Sequence, residues 1–237
     1  MRILTLASVL GLMAAPGLAQ QADWTNFHGN AMAQKYSASI QITPENVDQL
    51  EKVWELHTGD LSDGKGEIPG TVWSATPIVA NDTVYIGTPF YRVIAVEPDT
   101  GKVRWSYDPK TELKALTQPE LKNRGVTYWQ AADGATGPCS KRVYIGTMSG
   151  QLHALDADTG ALCADFGKGG ILDVNQWNKP GANFPLSQLQ PPTVYKDMLL
   201  LGWAGKDWVD SENPLGSVHA IDARTGELRW KFYSIPE

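Results

Sequence analysis

Residues 218–230 read VHAIDARTGELRW, and this stretch decides the fold because it occurs three times. Residues 93–105 read VIAVEPDTGKVRW, and residues 152–164 read LHALDADTGALCA. All three share the pattern apolar-x-Ala-apolar-acid-x-x-Thr-Gly. The residues before the turn alternate in polarity, as in a half-buried strand. Thr-Gly predicts a turn, because glycine adopts positive φ without steric cost.

The spacing of the copies indicates a repeat architecture. Their glycines Gly101, Gly160 and Gly226 lie 59 and 66 residues apart, enough for one small antiparallel sheet with insertions. Trp105 and Trp230 follow the turn in the outer copies, and a repeated flat aromatic favours contact between neighbouring sheets. Radial stacking of such sheets gives a β-propeller. We predict an all-β, incomplete β-propeller of about three blades with four antiparallel strands each.

The copies resemble the tryptophan-docking repeat of the quinoprotein dehydrogenases, which use pyrroloquinoline quinone (PQQ). The middle copy departs from this repeat, with Ala164 in place of the tryptophan and Phe166 two residues later. The opening of the chain is similar to the family's N-terminal segment. Thr43, a good N-cap before a proline, predicts a short helix there, and residues 52–58 predict a first strand.

The resemblance covers residues 23–237. A closed propeller has about four to eight blades, and quinoprotein dehydrogenases are longer than this chain. We therefore expect the N-terminal part of such an enzyme, inactive by itself. The predicted propeller domain is 20–237, with an opening strand and helix at 23–60 and blades at 71–109, 124–167 and 188–235.

Residues 1–19 have the features of a secretory signal peptide. Arg2 is followed by an apolar run over 3–15 and by small residues at 17 and 19. The run is too short to span a bilayer comfortably, and an N-terminal anchor helix is the alternative. We expect export to the periplasm.

Cys139 and Cys163 are the only cysteines of the chain. In an exported protein an even pair usually forms a disulfide. The alternative is a pair of buried free thiols. We predict a bond that closes a loop in the middle repeat.

Charge excludes one class of partner. The chain has 20 Lys and Arg against 26 Asp and Glu, a formal net charge of −6, and no basic run. A nucleic-acid-binding surface needs clustered positive charge. We expect no nucleic acid partner.

The resemblance implies PQQ and calcium as cofactors. PQQ is a planar ortho-quinone with three carboxylates, so its site needs cationic donors and flat surfaces. Arg124, followed by Gly125, matches the family's stretch near the quinone, and its guanidinium suits a carboxylate. The alternative is a surface arginine in a turn. Ala204 and Gly205 match small residues that line the cofactor.

Asp207 matches the family's calcium-binding acid, because calcium prefers carboxylate and carbonyl oxygens. One carboxylate does not make a calcium site, so further ligands would have to come from other blades. A solvated aspartate in a loop is the alternative. The family's catalytic aspartate falls beyond position 237, so no catalytic residue is named.

The chain departs from the family's sequence pattern at three places. Gln118 and Pro119 stand where the alcohol-oxidising branch has adjacent cysteines, which favours the glucose-dehydrogenase-like branch. Ser74 replaces an expected glutamate, and Leu189 replaces an expected hydroxyl residue.

The repeat positions also indicate which titratable residues have structural roles. Asp156 and Asp222 hold the position of Glu97 and are therefore interpreted as turn residues. His153 and His219 hold one shared position, occupied by an isoleucine in the first copy, which indicates packing.

The resemblance implies a dehydrogenase that oxidises a sugar or alcohol and passes electrons to ubiquinone or cytochrome c. The alternative is a non-catalytic propeller scaffold in the cell envelope, such as the outer-membrane-assembly lipoprotein with the same repeats. That class does not need Arg124 or Asp207 and usually carries a lipid-attachment cysteine. The chain has both residues and no such cysteine, which favours the enzyme.

Overall fold

The computed structural model describes residues 23–30, 32–116, 120–182, 184–203 and 216–234. These residues form three four-stranded antiparallel sheets and one two-stranded parallel ribbon. Within the same ranges, no helix is long and apolar enough to cross a membrane. The predicted signal peptide lies outside the described residues.

The first blade follows the predicted strand-turn-strand order. Asn81 and Asp82 form the tight turn between its first two strands, with φ of 51° and 52°. These two residue types tolerate the left-handed region better than most. The strands pair in sequence order. They are β2 (Ile78–Ala80), β3 (Thr83–Gly87), β4 (Val93–Val96) and β5 (Val103–Tyr107).

The second and third blades repeat this arrangement, and in both the strands again pair in sequence order. The second blade contains β7 (Thr127–Gln130), β8 (Lys141–Gly146), β9 (Gln151–Asp156) and β10 (Ile171–Asp173). The third contains β11 (Thr193–Tyr195), β12 (Met198–Leu201), β13 (Ser217–Asp222) and β14 (Leu228–Tyr233).

The blades pack side by side about one axis. The innermost strand β7 contacts β2 on one side and β11 on the other. One apolar core, which includes Tyr85 and Ile145, fills the space between the first two blades. A second core, which includes Tyr144 and Ile221, fills the space between the last two. This geometry confirms the predicted incomplete β-propeller.

Tryptophan docking joins the first blade to the second. The Trp105 indole donates its Nε1–H to the Ala157 carbonyl at 3.0 Å. Its ring lies over Gly160, where a Cβ atom would come within 2.5 Å of Trp105 Cε3. Only glycine permits this approach at the residue's φ of 74°.

Phe166 replaces the missing tryptophan of the second blade. Its side chain is completely buried, and Gly226 of the third blade lies against its ring. The Tyr144 hydroxyl donates to the Ala223 carbonyl at 2.5 Å, at the repeat position where Ala157 accepts from Trp105. In the first blade, Tyr85 makes the same bond to Ala157, so the second blade keeps the tyrosine contact and has the buried Phe166 ring in place of the tryptophan.

The opening segment docks on the first blade. Trp54 donates its indole N–H to the Pro98 carbonyl at 2.7 Å, and Asp60 forms a two-point ion pair with Arg92 at 2.7 and 2.8 Å. The prediction of a strand at 52–58 is wrong within the described residues, because this segment finds no strand partner there and is held by its side chains.

Two short features surround the blades. The predicted opening helix is a single 3-10 turn, Val47–Gln49. An unpredicted parallel ribbon joins β1 (Gly70–Trp73) to β6 (Glu120–Asn123), and the 3-10 turn Leu113–Ala115 lies between them in sequence. A third 3-10 turn, Val174–Trp177, follows β10.

The predicted disulfide between Cys139 and Cys163 is confirmed. It ties the loop that precedes β8 to the segment that follows the second Thr-Gly turn. Cys163 is fully buried in the core between the second and third blades. The bond therefore holds the outer part of the second blade in place.

Candidate functional site

Three chain segments meet at the axis of the propeller, just before the innermost strands. The Thr76 amide donates to the Arg124 carbonyl at 3.4 Å, and the Arg124 amide donates to the Leu189 carbonyl at 3.1 Å. Each residue precedes the innermost strand of a different blade. The backbone of Arg124 is therefore held between the first and third blades, at the axis of the propeller, which we call the hub.

Asn123 fixes the conformation of this segment. Its buried side chain donates to the Gly146 carbonyl at 3.3 Å and accepts the Gly125 amide at 2.8 Å. The next residue, Arg124, is exposed. The sequence analysis did not identify Asn123, although its place directly before the Arg-Gly pair was the available signal.

Gly125 permits the close approach at the hub. Its φ is 125°, and a Cβ atom there would lie 3.0 Å from the Thr76 carbonyl oxygen. A side chain would push the first two blades apart at this point. The position therefore requires glycine for both conformation and space.

The Arg124 guanidinium has no hydrogen-bonding or ion-pair partner among the described residues. A guanidinium offers five N–H donors in a plane and binds carboxylates with two parallel bonds. An exposed cation at the hub, with no counter-ion in the part of the chain that the structure describes, matches what a tricarboxylate needs. On this observation Arg124 is suited to bind a carboxylate of PQQ.

Two of the three departures from the family pattern have structural roles, and the third, at Gln118 and Pro119, lies outside the described residues. Ser74 donates its hydroxyl to the Asn123 carbonyl at 3.2 Å and so ties the first blade to the Arg124 segment. Leu189 packs into the core between the first two blades, with 7% of its surface exposed. Both positions support the hub backbone.

The predicted calcium ligand Asp207 and the predicted cofactor-lining residues Ala204 and Gly205 lie outside the described residues. The residue before them, Trp203, is described, and its indole meets the His219 ring edge-on at 4.6 Å. Within the described ranges, no group of three or more His, Cys, Asp or Glu side chains could hold a metal ion. The calcium site stays a prediction.

The repeated histidines are packed and neutral. Burial lowers the pKa of His219 to about 4, and the nearby Lys231 acts in the same direction. His219 also meets the Trp177 ring edge-on at 4.9 Å. Burial likewise lowers the pKa of His153 to about 4. These values agree with packing positions that carry no charge at pH 7.

The repeated acids are turn residues, as predicted. Asp156 Oδ1 accepts the Asp158 and Thr159 amides at 3.1 and 2.9 Å and the Thr159 hydroxyl at 2.8 Å. Asp222 Oδ1 accepts the Arg224 and Thr225 amides at 2.8 and 2.9 Å. Their carboxylates satisfy turn donors and take no part in a hub site.

Comparison with known proteins identifies the family of this fold. A family model described as "PQQ: Glucose/ethanol/alcohol dehydrogenase, beta-propeller domain" matches residues 24–237. Quinoprotein glucose dehydrogenase A of Acinetobacter calcoaceticus is 31% identical over 236 residues, which cover 92% of this chain and 28% of that protein. Quinohemoprotein alcohol dehydrogenase ADH IIB of Pseudomonas putida is 33% identical over 217 residues, or 90% of this chain and 26% of that protein.

A solved structure agrees with these sequence matches. The quinohemoprotein alcohol dehydrogenase of Comamonas testosteroni superimposes with a TM-score of 0.67 at 25% identity, over 92% of this chain and 28% of that one. The chain thus spans about a quarter of the length of these relatives. The chain belongs to the β-propeller family of PQQ-dependent glucose, ethanol and alcohol dehydrogenases.

Proposed function

We propose that this chain supplies the first blades of a PQQ-dependent dehydrogenase that oxidises a sugar or an alcohol. The observation that carries the proposal is Arg124, whose backbone is held at the hub of a propeller of this family and whose exposed guanidinium has no counter-ion among the described residues. The relatives named above are a glucose dehydrogenase and an alcohol dehydrogenase, which supports the substrate class.

Each predicted site residue has one role in this proposal. Arg124 binds a carboxylate or the paired carbonyl oxygens of the cofactor. Ala204 and Gly205 leave room for a flat ring, and Asp207 provides one calcium ligand. When bound, PQQ supplies a two-electron acceptor for the substrate carbon, and calcium supplies a Lewis acid. Asn123 and Ser74 hold the Arg124 segment in position.

The cellular setting is part of the proposal. A periplasmic location is supported by the signal-peptide pattern of residues 1–19 and by the Cys139–Cys163 disulfide, since such bonds persist in oxidising compartments. Electrons then pass to ubiquinone or cytochrome c. Fractionation of cells that express the gene, followed by immunoblotting, tests the location.

The cofactor role of Arg124 is tested by titrating the chain with PQQ and recording tryptophan fluorescence. We expect Arg124→Gln to weaken PQQ binding at least tenfold, because a neutral amide cannot replace the charged two-point contact. Arg124→Lys should retain part of the affinity. Arg104→Gln, on the outer strand of the first blade, is the matched control and should stay within twofold.

The catalytic role is tested by dye reduction with PQQ, calcium and a panel of sugars and alcohols. We expect turnover from the complete gene product and none from these 237 residues alone. Equal PQQ affinity in Arg124→Gln and the parent chain would contradict the cofactor role. Absence of dye reduction by the complete product with every substrate would favour the scaffold instead.

A further inference from the structure

A cavity of about 530 Å³ lies outside the hub, between the first and second blades. One wall is the segment that follows β5, and the other comes from β9, β10 and the turn before β9. Arg124 and the innermost strands do not contribute to it. Its apolar lining consists of Pro109, Ala115, Leu116, Met148, Ile171 and Pro185.

Two polar side-chain atoms that line this cavity, one on each wall, are buried without hydrogen-bond partners among the described residues. His153 is 1% exposed, and its Nδ1 pairs with the Tyr107 hydroxyl at 2.8 Å. Its other ring nitrogen, Nε2, has no partner there, and neither has the Thr111 hydroxyl. Buried polar atoms in proteins are nearly always satisfied. Two unsatisfied polar atoms, one from each wall, therefore indicate a missing polar group at this cavity.

The chemistry of the wall restricts that group. The imidazole is neutral at pH 7, because burial lowers the pKa of His153 to about 4. Nε2 donates or accepts according to the tautomer that Tyr107 selects, and a ligand hydroxyl can match either state. The Lys110 ammonium at the rim is paired with Asp108 at 2.8 Å. The Glu112 carboxylate also lines the cavity but belongs to an exposed residue, so the buried part of the lining carries no charge that would select a charged ligand.

We propose that this cavity is a second small-molecule site, which binds a neutral alcohol or phenol with its hydroxyl against His153 and Thr111 and its apolar body against Leu116 and Met148. The cavity volume falls within the usual range for ligand sites. The site is separate from the cofactor position, so it does not depend on whether Arg124 binds PQQ.

The test uses phenol as the probe, toluene as its hydroxyl-free counterpart, and the whole 237-residue chain. Saturation-transfer NMR and calorimetry measure binding, and long-range ¹H–¹⁵N spectra follow the ring nitrogens of His153. We expect saturable phenol binding, at least tenfold tighter than toluene binding, with a shift of the His153 Nε2 resonance.

Four variants test whether phenol binds in this cavity. His153→Ile introduces the residue that the first blade carries at the same repeat position, so the sheet tolerates it, and we expect at least a tenfold loss of phenol affinity. Thr111→Val should lose about threefold or more. His219→Ile changes the matching position of the third blade, and Arg124→Gln changes the hub. Both should leave phenol binding within twofold.

Two results would overturn the proposal. One is phenol binding that His153→Ile leaves unchanged. The other is a His153 Nε2 resonance that does not move at saturating phenol, which would mean that water alone satisfies this nitrogen. Because Arg124→Gln reports on the hub alone, failure of the cavity proposal is distinguishable from failure of the cofactor proposal.

Discussion

Single residues at one repeat position differ in what they contact. Trp105 reaches the Ala157 carbonyl and the glycine turn of the second blade. Trp230 occupies the same position in the third blade, but 43% of its surface is exposed. Comparing variants of Trp105 and Trp230 therefore distinguishes the stability that docking contributes from the general effect of removing a tryptophan.

We expect Trp105→Ala to lower the free energy of unfolding by about 3 kcal/mol, since the ring leaves a cavity and its hydrogen bond is lost. Trp230→Ala, the matched control, should change it by less than about 0.5 kcal/mol. Urea denaturation followed by circular dichroism measures both. Equal losses in the two variants would refute the docking contact.

Asp222 makes stability depend on pH. Burial alone would raise the pKa of its carboxyl, but bonds from the Arg229 guanidinium and from the Thr225 and Arg224 amides hold the pKa below its ordinary value. A lowered folded-state pKa stabilises the protein above the unfolded-state pKa of about 3.9, and this contribution is lost as the pH falls through the folded-state value.

Asp222→Asn should therefore lower the free energy of unfolding by about 1 kcal/mol at pH 7, because the charge on the accepting oxygen is lost. The difference from the parent chain should shrink as the pH falls below about 4. Urea titrations at pH 7 and pH 3 measure it. The exposed Glu227→Gln is the control, and a pH-independent difference would contradict the assignment.

Among the structural elements, the second blade departs most from the repeat. Its outermost strand, Ile171–Asp173, begins well after the turn, and the segment between them carries Cys163 and Phe166. Arg142 is 2% exposed and ties this region together, with bonds to the Cys139 carbonyl at 2.9 Å and to the Arg224 carbonyl of the third blade at 2.7 Å. Covalent and polar contacts here replace part of the tryptophan docking.

Replacing both cysteines by serine, or reducing the bond, should cost about 3–4 kcal/mol, the chain-entropy estimate for a loop of this size. Urea denaturation with and without dithiothreitol measures the loss. Reductant should not affect the double-serine variant, which serves as the control. A parent chain equally stable in both conditions would contradict a stabilising role for the bond.

The sequence predicted the strands that carry local patterns and missed those set by distant partners. The alternation before Gly101, Gly160 and Gly226 predicted the blade strands. The parallel pairing of Gly70–Trp73 with Glu120–Asn123 joins residues about 50 positions apart, and neither segment has a pattern that reveals its partner. The strand expected at 52–58 failed for a related reason, since a strand exists only with a partner.

The residues of the candidate site also divide into those with a local sequence signal and those whose role depends on distant partners. The family resemblance selected Arg124 as a cofactor residue, and its backbone lies at the hub. Asn123 was missed, because its role depends on the Gly146 carbonyl, which only the fold brings near. The His153 cavity could not be predicted either, since its walls come from two blades.

Across the whole molecule, the third blade leaves one apolar face exposed. Val218 and Phe232 are direct cross-strand partners, and Trp230 lies two residues from Phe232 on the same side. Their exposed fractions are 38%, 62% and 43% in that order. Contiguous apolar surface of this kind favours association.

We expect the chain to self-associate at micromolar concentration, and the double variant Trp230→Ser with Phe232→Ser to shift it toward monomer. Sedimentation velocity measures the change. Tyr36→Ser, an exposed aromatic in the opening segment, is the control and should leave the distribution unchanged. Association that persists in the double variant would place the contact elsewhere.

The Ala157 carbonyl accepts two bonds from the first blade, from Trp105 and from the Tyr85 hydroxyl at 3.1 Å. The Ala223 carbonyl accepts one bond from the second blade, from the Tyr144 hydroxyl at 2.5 Å. Each of the first two sheets is thus hydrogen-bonded to the sheet that follows it in the chain, so the effect of losing a sheet depends on its position. Loss of a later sheet removes these bonds from the sheet before it. Proteolytic cleavage after residue 190 should therefore loosen the second sheet well before the first.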